Sequence, residues 1–288
     1  MKIVALKVDG KETAAIAASH GLVLVEHLNR ELGARWRTEP FDLIESGQLN
    51  DLAAWHRSGG AKTLASMDAV EHEGATYSPL YRRPRKIWGI GFNYAANEEE
   101  LRQSDPAAEP VGFLKPDTAL VGPGDPIRIP AQSERTVAEA ELAIVIGRKC
   151  KNVSEEEAEG CVAGFAAVLD MSADDIHQRN PRFLTRAKSF DTFFSFGAEL
   201  ITPDEYPDVL DIEVEARLNG ETLHRNVLRH MRFRPWQTVA FHSRVMTLLP
   251  GDVIMTGTPG AVVIRPGDTV ECRIGGLSPH ANPVALDA

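Results

Sequence analysis

Residues 138–147 read AEAELAIVIG: two carboxylates two positions apart, then five apolar residues and a glycine. The run predicts a buried strand with an acidic beginning. Side chains on a strand alternate faces, so Glu139 and Glu141 project from the same one, close enough to share a single ion. Like charges held that near raise each other's pKa unless a cation neutralises them. A second apolar run, VAGFAAVLD at 162–170, ends in Asp170, an acid that is costly to bury unpaired and that supplies a third oxygen ligand. Three carboxylates with no neighbouring Cys or His form a hard, oxygen-only site, suited to Mg²⁺, Mn²⁺ or Ca²⁺ better than to zinc. Spacing alone allows equally that these acids are salt-bridged or solvated strand ends.

The rest of the 288 residues sets limits on function. A net charge of -10 and 25% charged residues argue against general attraction to nucleic acid or to an anionic membrane, so an anionic ligand needs a local basic patch. The N-terminal run MKIVALKVDG is too short in apolar residues for a signal peptide or a membrane span, and a cytoplasmic location is expected. Cys150, Cys161 and Cys272 lack CxxC spacing and read as buried thiols rather than disulfides or zinc ligands.

The first eighty residues mix short β-like runs with polar helical stretches, and TYSPLYRRPRKIWGIG then brings prolines and basic residues before a new apolar strand. This places a small N-terminal domain at 1–80 and a second domain at 81–288, with the boundary near Pro84. Turn sequences such as VGPGDP, TGTPGA and RPGDTV make the second domain β-rich. Ser154 and Glu157 form a capping-box pattern that starts a helix reaching toward Gly160.

GFNYAANEEE (91–100), FLKPDTALVGPGDPI (113–127), EAELAIVIG (139–147), LDMSADD (169–175), AKSFDTF (187–193) and LLPGDVIMTGTPG (248–260) together resemble the fumarylacetoacetate hydrolase family in residue type, order and spacing. The resemblance runs from about Trp88 to the C-terminus and is strongest toward members that isomerise 2-hydroxyhepta-2,4-diene-1,7-dioate or hydrolyse acylpyruvates. It implies an α+β, β-rich fold: a mixed β-roll catalytic domain with a small N-terminal α/β domain, assembled as a homodimer. It implies Mg²⁺ or Mn²⁺ on Glu139, Glu141 and Asp170, and a small anionic 2-oxo acid as substrate, met in aromatic catabolism. Lys188 and Thr258 match residues lying beside substrate, and Asn93 and Tyr94 belong to the same expected binding set. Lys188 would stabilise a developing oxyanion, and Thr258 would hold a carboxylate. His177, Arg179, Arg182 and Arg186 form the local basic patch, with His177 and Arg182 placed among the substrate contacts.

Two positions depart from the resemblance. Where hydrolytic members carry a histidine followed three residues later by a glutamate, this chain has Asn97 and Glu100; asparagine takes no proton from water, so Glu100 is left as the candidate base. After Asp170, a substrate-contacting arginine and glutamine of many relatives are Asp174 and His177. The expected reaction is carbon–carbon bond cleavage, by hydrolysis or decarboxylation, of a 2-oxo or 1,3-dioxo acid. The alternatives are an enol–keto isomerase of a 2-hydroxy-diene dicarboxylate and, in a different class, a protein that binds oxo acids without converting them.

Overall fold

A computed structural model describes residues 1–287. Strands β1 (Lys2–Val8), β2 (Lys11–Ala18) and β3 (Gly21–Leu24) form an antiparallel meander. Short helices follow: α1 (Val25–Leu32), α2 (Pro40–Glu45), α3 (Gln48–Trp55) and α4 (Ala61–Leu64). Their apolar residues Leu28, Leu43, Leu52 and Leu64 are buried against the sheet in a core shared with Ile3 and Val168.

Next along the chain come β4 (Ile87–Gly91), α5 (Glu98–Arg102), β5 (Val111–Lys115), β6 (Leu120–Val121), β7 (Ile127–Ile129) and the long β8 (Thr136–Ile146). After α6 (Glu155–Ala158) lie β9 (Val162–Ala173), α7 (Asp174–Arg179), α8 (Leu184–Lys188), β10 (Phe194–Phe196) and β11 (Glu199–Ile201). The chain ends with β12 (Glu213–Leu218), β13 (Glu221–Val227), α9 (Pro235–Val245), β14 (Val253–Met255), β15 (Ala261–Val263), β16 (Thr269–Ile274) and β17 (His280–Leu286).

These strands form a 12-stranded and a 5-stranded sheet. In the large one the order is β3, β2, β1, β11, β9, β8, β14, β4, β5, with β10 on β9, β6 on β10 and β15 on β8. The small one runs β13, β12, β16, β17, β7. β8 and β9 sit at the centre, as their near-continuous apolar sequences require of strands covered on both faces. On one side β12 and β16 pack over them, burying Leu142, Ile144, Phe165, Val214, Cys272 and Ile274 in one core. Because β1 pairs with β11, the N-terminal strands extend the same sheet that carries β8 and β9.

The strand-rich α+β architecture agrees with the sequence expectation, and all three cysteines are free and buried. The Ser154 capping box is present, with Ser154 Oγ 3.2 Å from Glu157 N and Glu157 Oε2 2.8 Å from Ser154 N. Its helix is a single turn, because Glu159–Cys161 tightens into a 3₁₀ turn before β9 begins. No helix among the described residues is long and apolar enough to cross a membrane.

Candidate metal centre and active-site cavity

β8 and β9 pair antiparallel with Glu139 directly opposite Asp170, and Glu141 lies two residues further on the same face as Glu139. Carboxylate oxygens of Glu139, Glu141 and Asp170 all lie within 4.8 Å of one another. Around them the chain arranges two ammonium groups and one backbone amide. Lys188, at the end of α8, donates to Asp170 Oδ2 at 2.5 Å and also to Glu139 Oε2. Lys115, the last residue of β5, donates to Asp170 Oδ1 at 2.5 Å and to the Met171 carbonyl at 3.0 Å. Gly257 N donates to Glu141 Oε2 at 2.6 Å, and Ser172 Oγ donates to Glu139 Oε2 at 3.2 Å.

The electrostatics follow from this arrangement. Burial drives the Glu141 carboxyl well above the usual range, the charges of Asp170 and Glu139 push it further, and Lys188 and the Gly257 amide only partly offset them. Burial acts in the same direction on Asp170, but Lys115 and Lys188 outweigh it and hold that carboxyl below the usual range. Lys115 is pushed down to about 8 because burial outweighs the attraction of Asp170. For Lys188 burial is overcome by Asp170, Glu139 and Glu141, so its pKa lies above the ordinary value.

This supports a fit to a divalent cation on physical grounds. Glu141 is 2% exposed and its carboxyl accepts a hydrogen bond from Gly257 N, so as a carboxylate it stands beside two others with its negative charge only partly compensated. The donor set is all oxygen, which matches Mg²⁺ or Mn²⁺. Glu139, Glu141 and Asp170 are the residues that would hold the ion.

A cavity of about 390 Å³ opens above these groups. Thr258, Tyr94 and His177 line it, as do Glu139, Glu141 and Lys188. Thr258 Oγ1 closes its own turn by donating to the Gly260 carbonyl at 3.0 Å. The Tyr94 hydroxyl is buried without a hydrogen-bond partner among the described residues. The other expected residues lie elsewhere. Asn93 is a strut: its Nδ2 donates to the carbonyls of Thr256 at 2.7 Å and Phe233 at 3.0 Å, and its Oδ1 accepts from Phe233 N at 2.8 Å. Arg182 is exposed and lies outside the cavity wall. Glu100 also lies outside it, accepting from Ala96 N at 2.9 Å and pairing with Arg232 at 2.6 Å. Asn97 caps α5, its Oδ1 accepting from Glu100 N at 3.0 Å, which is a standard role for asparagine at a helix start.

Lys115, Ser172 and the Gly257 amide were not anticipated from sequence. The alternation of β5 carries a trace of Lys115, since Val111, Phe113 and Lys115 share one face. Gly257 is required twice over. Its φ is +93°, and an added Cβ would lie 2.9 Å from Asn93 Cβ and 3.2 Å from the Ile90 carbonyl. Gly257→Ala is therefore expected to cost roughly 1–3 kcal/mol of stability and to weaken metal binding by displacing the amide that orients Glu141. Thermal unfolding with and without Mn²⁺ measures both; an unchanged melting temperature and metal response would refute this role.

Fold and site together define a strand-rich α+β protein with three carboxylates clustered closely enough to hold a metal ion beneath a cavity. The family model for the fumarylacetoacetate (FAA) hydrolase C-terminal region matches residues 86–285, and the chain belongs to that family. It is similar to a mitochondrial oxaloacetate tautomerase of Xenopus laevis, with 39% identity over 211 residues, covering 70% of this chain and 66% of that one. Among solved structures, a maleylpyruvate hydrolase from Sphingobium sp. SYK-6 in complex with manganese(II) and pyruvate matches with a TM-score of 0.80 and 26% identity, over 100% of both chains. A 2-hydroxyhepta-2,4-diene-1,7-dioate isomerase from Mycobacterium marinum matches with a TM-score of 0.76 and 29% identity, over 100% of this chain and 99% of that one.

Proposed function

We propose that this chain is a divalent-metal-dependent enzyme that carries out enol–keto isomerisation of a 2-oxo acid. The observation that carries the proposal is the position of Lys188, whose ammonium group spans Glu139 and Asp170 and faces the cavity 4.6 Å from the Phe113 ring. A fixed positive charge at that point stabilises negative charge developing on a substrate oxygen. When bound, the ion supplies Lewis-acid polarisation of the substrate's carboxylate and keto oxygens. Thr258 and Tyr94 line the cavity, and the Thr258 hydroxyl can hold the substrate carboxylate by turning from the Gly260 carbonyl. His177 is the imidazole among the described residues lining the cavity, and it can exchange a proton with the carbon next to the keto group.

Carbon–carbon bond cleavage is the second reading, favoured by the similarity to the maleylpyruvate hydrolase. Its hydrolytic form needs an activated water, and Asn97 and Glu100 are engaged in the capping and ion pairing of α5; decarboxylation does not need one. Incubating the Mn²⁺- and Mg²⁺-loaded protein with oxaloacetate, an acylpyruvate and a 2-hydroxy-diene dicarboxylate separates the readings by product. Isomerised products without cleavage are expected. Cleavage would reverse the order of the two readings, and intact ligand binding with no turnover would establish a non-catalytic oxo-acid binder. Asn97→His is expected to add hydrolysis of the acylpyruvate at a cost of about 1 kcal/mol from the lost helix cap; no gain would show that more than this side chain is missing.

A further inference from the structure

We infer that the cavity selects 2-oxo acids with one carboxylate and an uncharged, apolar tail, and discriminates against dicarboxylates. The inference rests on the reading of the site as an oxo-acid site and specifies what lies beyond the reacting end. Its basis is a gradient repeated on three elements. On β5, Lys115 reaches Asp170 while Phe113 and then Val111 line the cavity toward its mouth. On β8, Glu141 and Glu139 are followed on the same face by Val137. On α8, Lys188 meets the carboxylates while Leu184, one turn earlier, lines the wall. Glu141, Lys115 and Lys188 are buried, Asp174 and His177 also line the wall, and the opening is bordered by Phe92 and Val111, which are 79% and 47% exposed.

Charge balance points the same way. With a divalent ion bound and all three carboxylates ionised, three negative charges against the ion and two ammonium groups would leave one positive charge. A single substrate carboxylate neutralises it. A second carboxylate would meet Asp174, which lines the cavity and is already engaged by Arg135 at 2.8 Å and Gln178 at 2.6 Å. Two nearby guanidinium groups serve other partners, Arg179 lying 3.6 Å from Asp175 and Arg186 donating to Gln132 at 3.0 Å, and Arg182 is exposed outside the cavity wall. No arginine is among the described residues lining the cavity, so a distal carboxylate would lose water without gaining a guanidinium partner. Phe92 supplies the complementary surface for an apolar group. Its ring is exposed at the mouth from a backbone with φ of +56°, a conformation uncommon for a bulky residue.

The test uses the full chain loaded with Mn²⁺. Calorimetric binding compares phenylglyoxylate with ketomalonate, neither of which can enolise, and turnover compares phenylpyruvate with oxaloacetate; oxalate, which has no tail, reports on the metal end alone. We expect a preference of about tenfold or more for the aryl compounds in both binding and kcat/KM. Phe92→Lys, on an exposed side chain, and Asp174→Arg should each move both ratios toward the dicarboxylates by about fivefold or more, with folding checked by circular dichroism. Oxalate binding combined with equal or stronger recognition of the dicarboxylates, or ratios unmoved by Phe92→Lys, would overturn the selectivity and leave the oxo-acid site standing. Failure of oxalate to bind would overturn the reading of the site itself.

Discussion

Replacing Asp170 by asparagine is expected to abolish metal binding and to destabilise the protein by about 3–5 kcal/mol, the range measured when one partner of a buried ion pair is removed. Asp170 is 0% exposed and accepts from two lysines at once. Asparagine preserves the volume but removes the charge, and it turns one oxygen into an NH₂ donor facing an ammonium group. The remaining amide oxygen can accept from only one of the two lysines, and Lys115, itself 2% exposed, loses the charge that compensates its own in either case. Since whole domains are stable by only about 5–15 kcal/mol, the melting temperature should fall visibly. Calorimetry with and without Mn²⁺ separates two roles of the residue. The wild type should gain stability on adding metal, as any ligand of the native state confers it, and Asp170→Asn should lose that gain as well as the baseline. A variant that is less stable but still responds fully to Mn²⁺ would make Asp170 a structural ion-pair partner and not a ligand.

Lys188→Met should separate catalysis from metal binding, because the two are expected to change in opposite directions. Methionine keeps the unbranched stem and packs its sulfur against Phe113, over whose ring the ammonium lies at 4.6 Å. Loss of the charge beside the reacting oxygen should lower kcat/KM by about 10²–10³-fold. The same loss leaves Glu139 and Asp170 less neutralised, so the metal-free variant should be less stable, the ion should bind at least as tightly, and adding it should recover much of the deficit. Turnover, metal titration and thermal unfolding on one preparation measure all three. Weaker metal binding together with unchanged turnover would remove Lys188 from the mechanism.

Much of the metal centre was legible because it depends on local geometry. The period of two along β8 puts Glu139 and Glu141 on one face whatever strand lies beside them. The acid at the end of an apolar run marked Asp170, and the strand register sets it opposite Glu139. Asn97 was legible only as a departure from a pattern; its work as the cap of α5 depends on where that helix begins. Arg182 sits six residues from Lys188 in sequence, yet only Lys188 reaches the carboxylates, because the intervening turn and α8 carry Arg182 to the surface.

Sequence by itself determined that two strands are buried, that three carboxylates begin or end apolar runs, and that the cysteines are thiols in the interior, since each follows from the cost of burying polar groups and from the alternation of a single strand. Tertiary structure alone decided what surrounds those carboxylates. Lys115 comes from a strand 55 residues away from Asp170, and the Gly257 amide from a turn 116 residues beyond Glu141. Such contacts depend on how distant strands and turns are brought together by the sheet, which side-chain alternation along one strand does not encode.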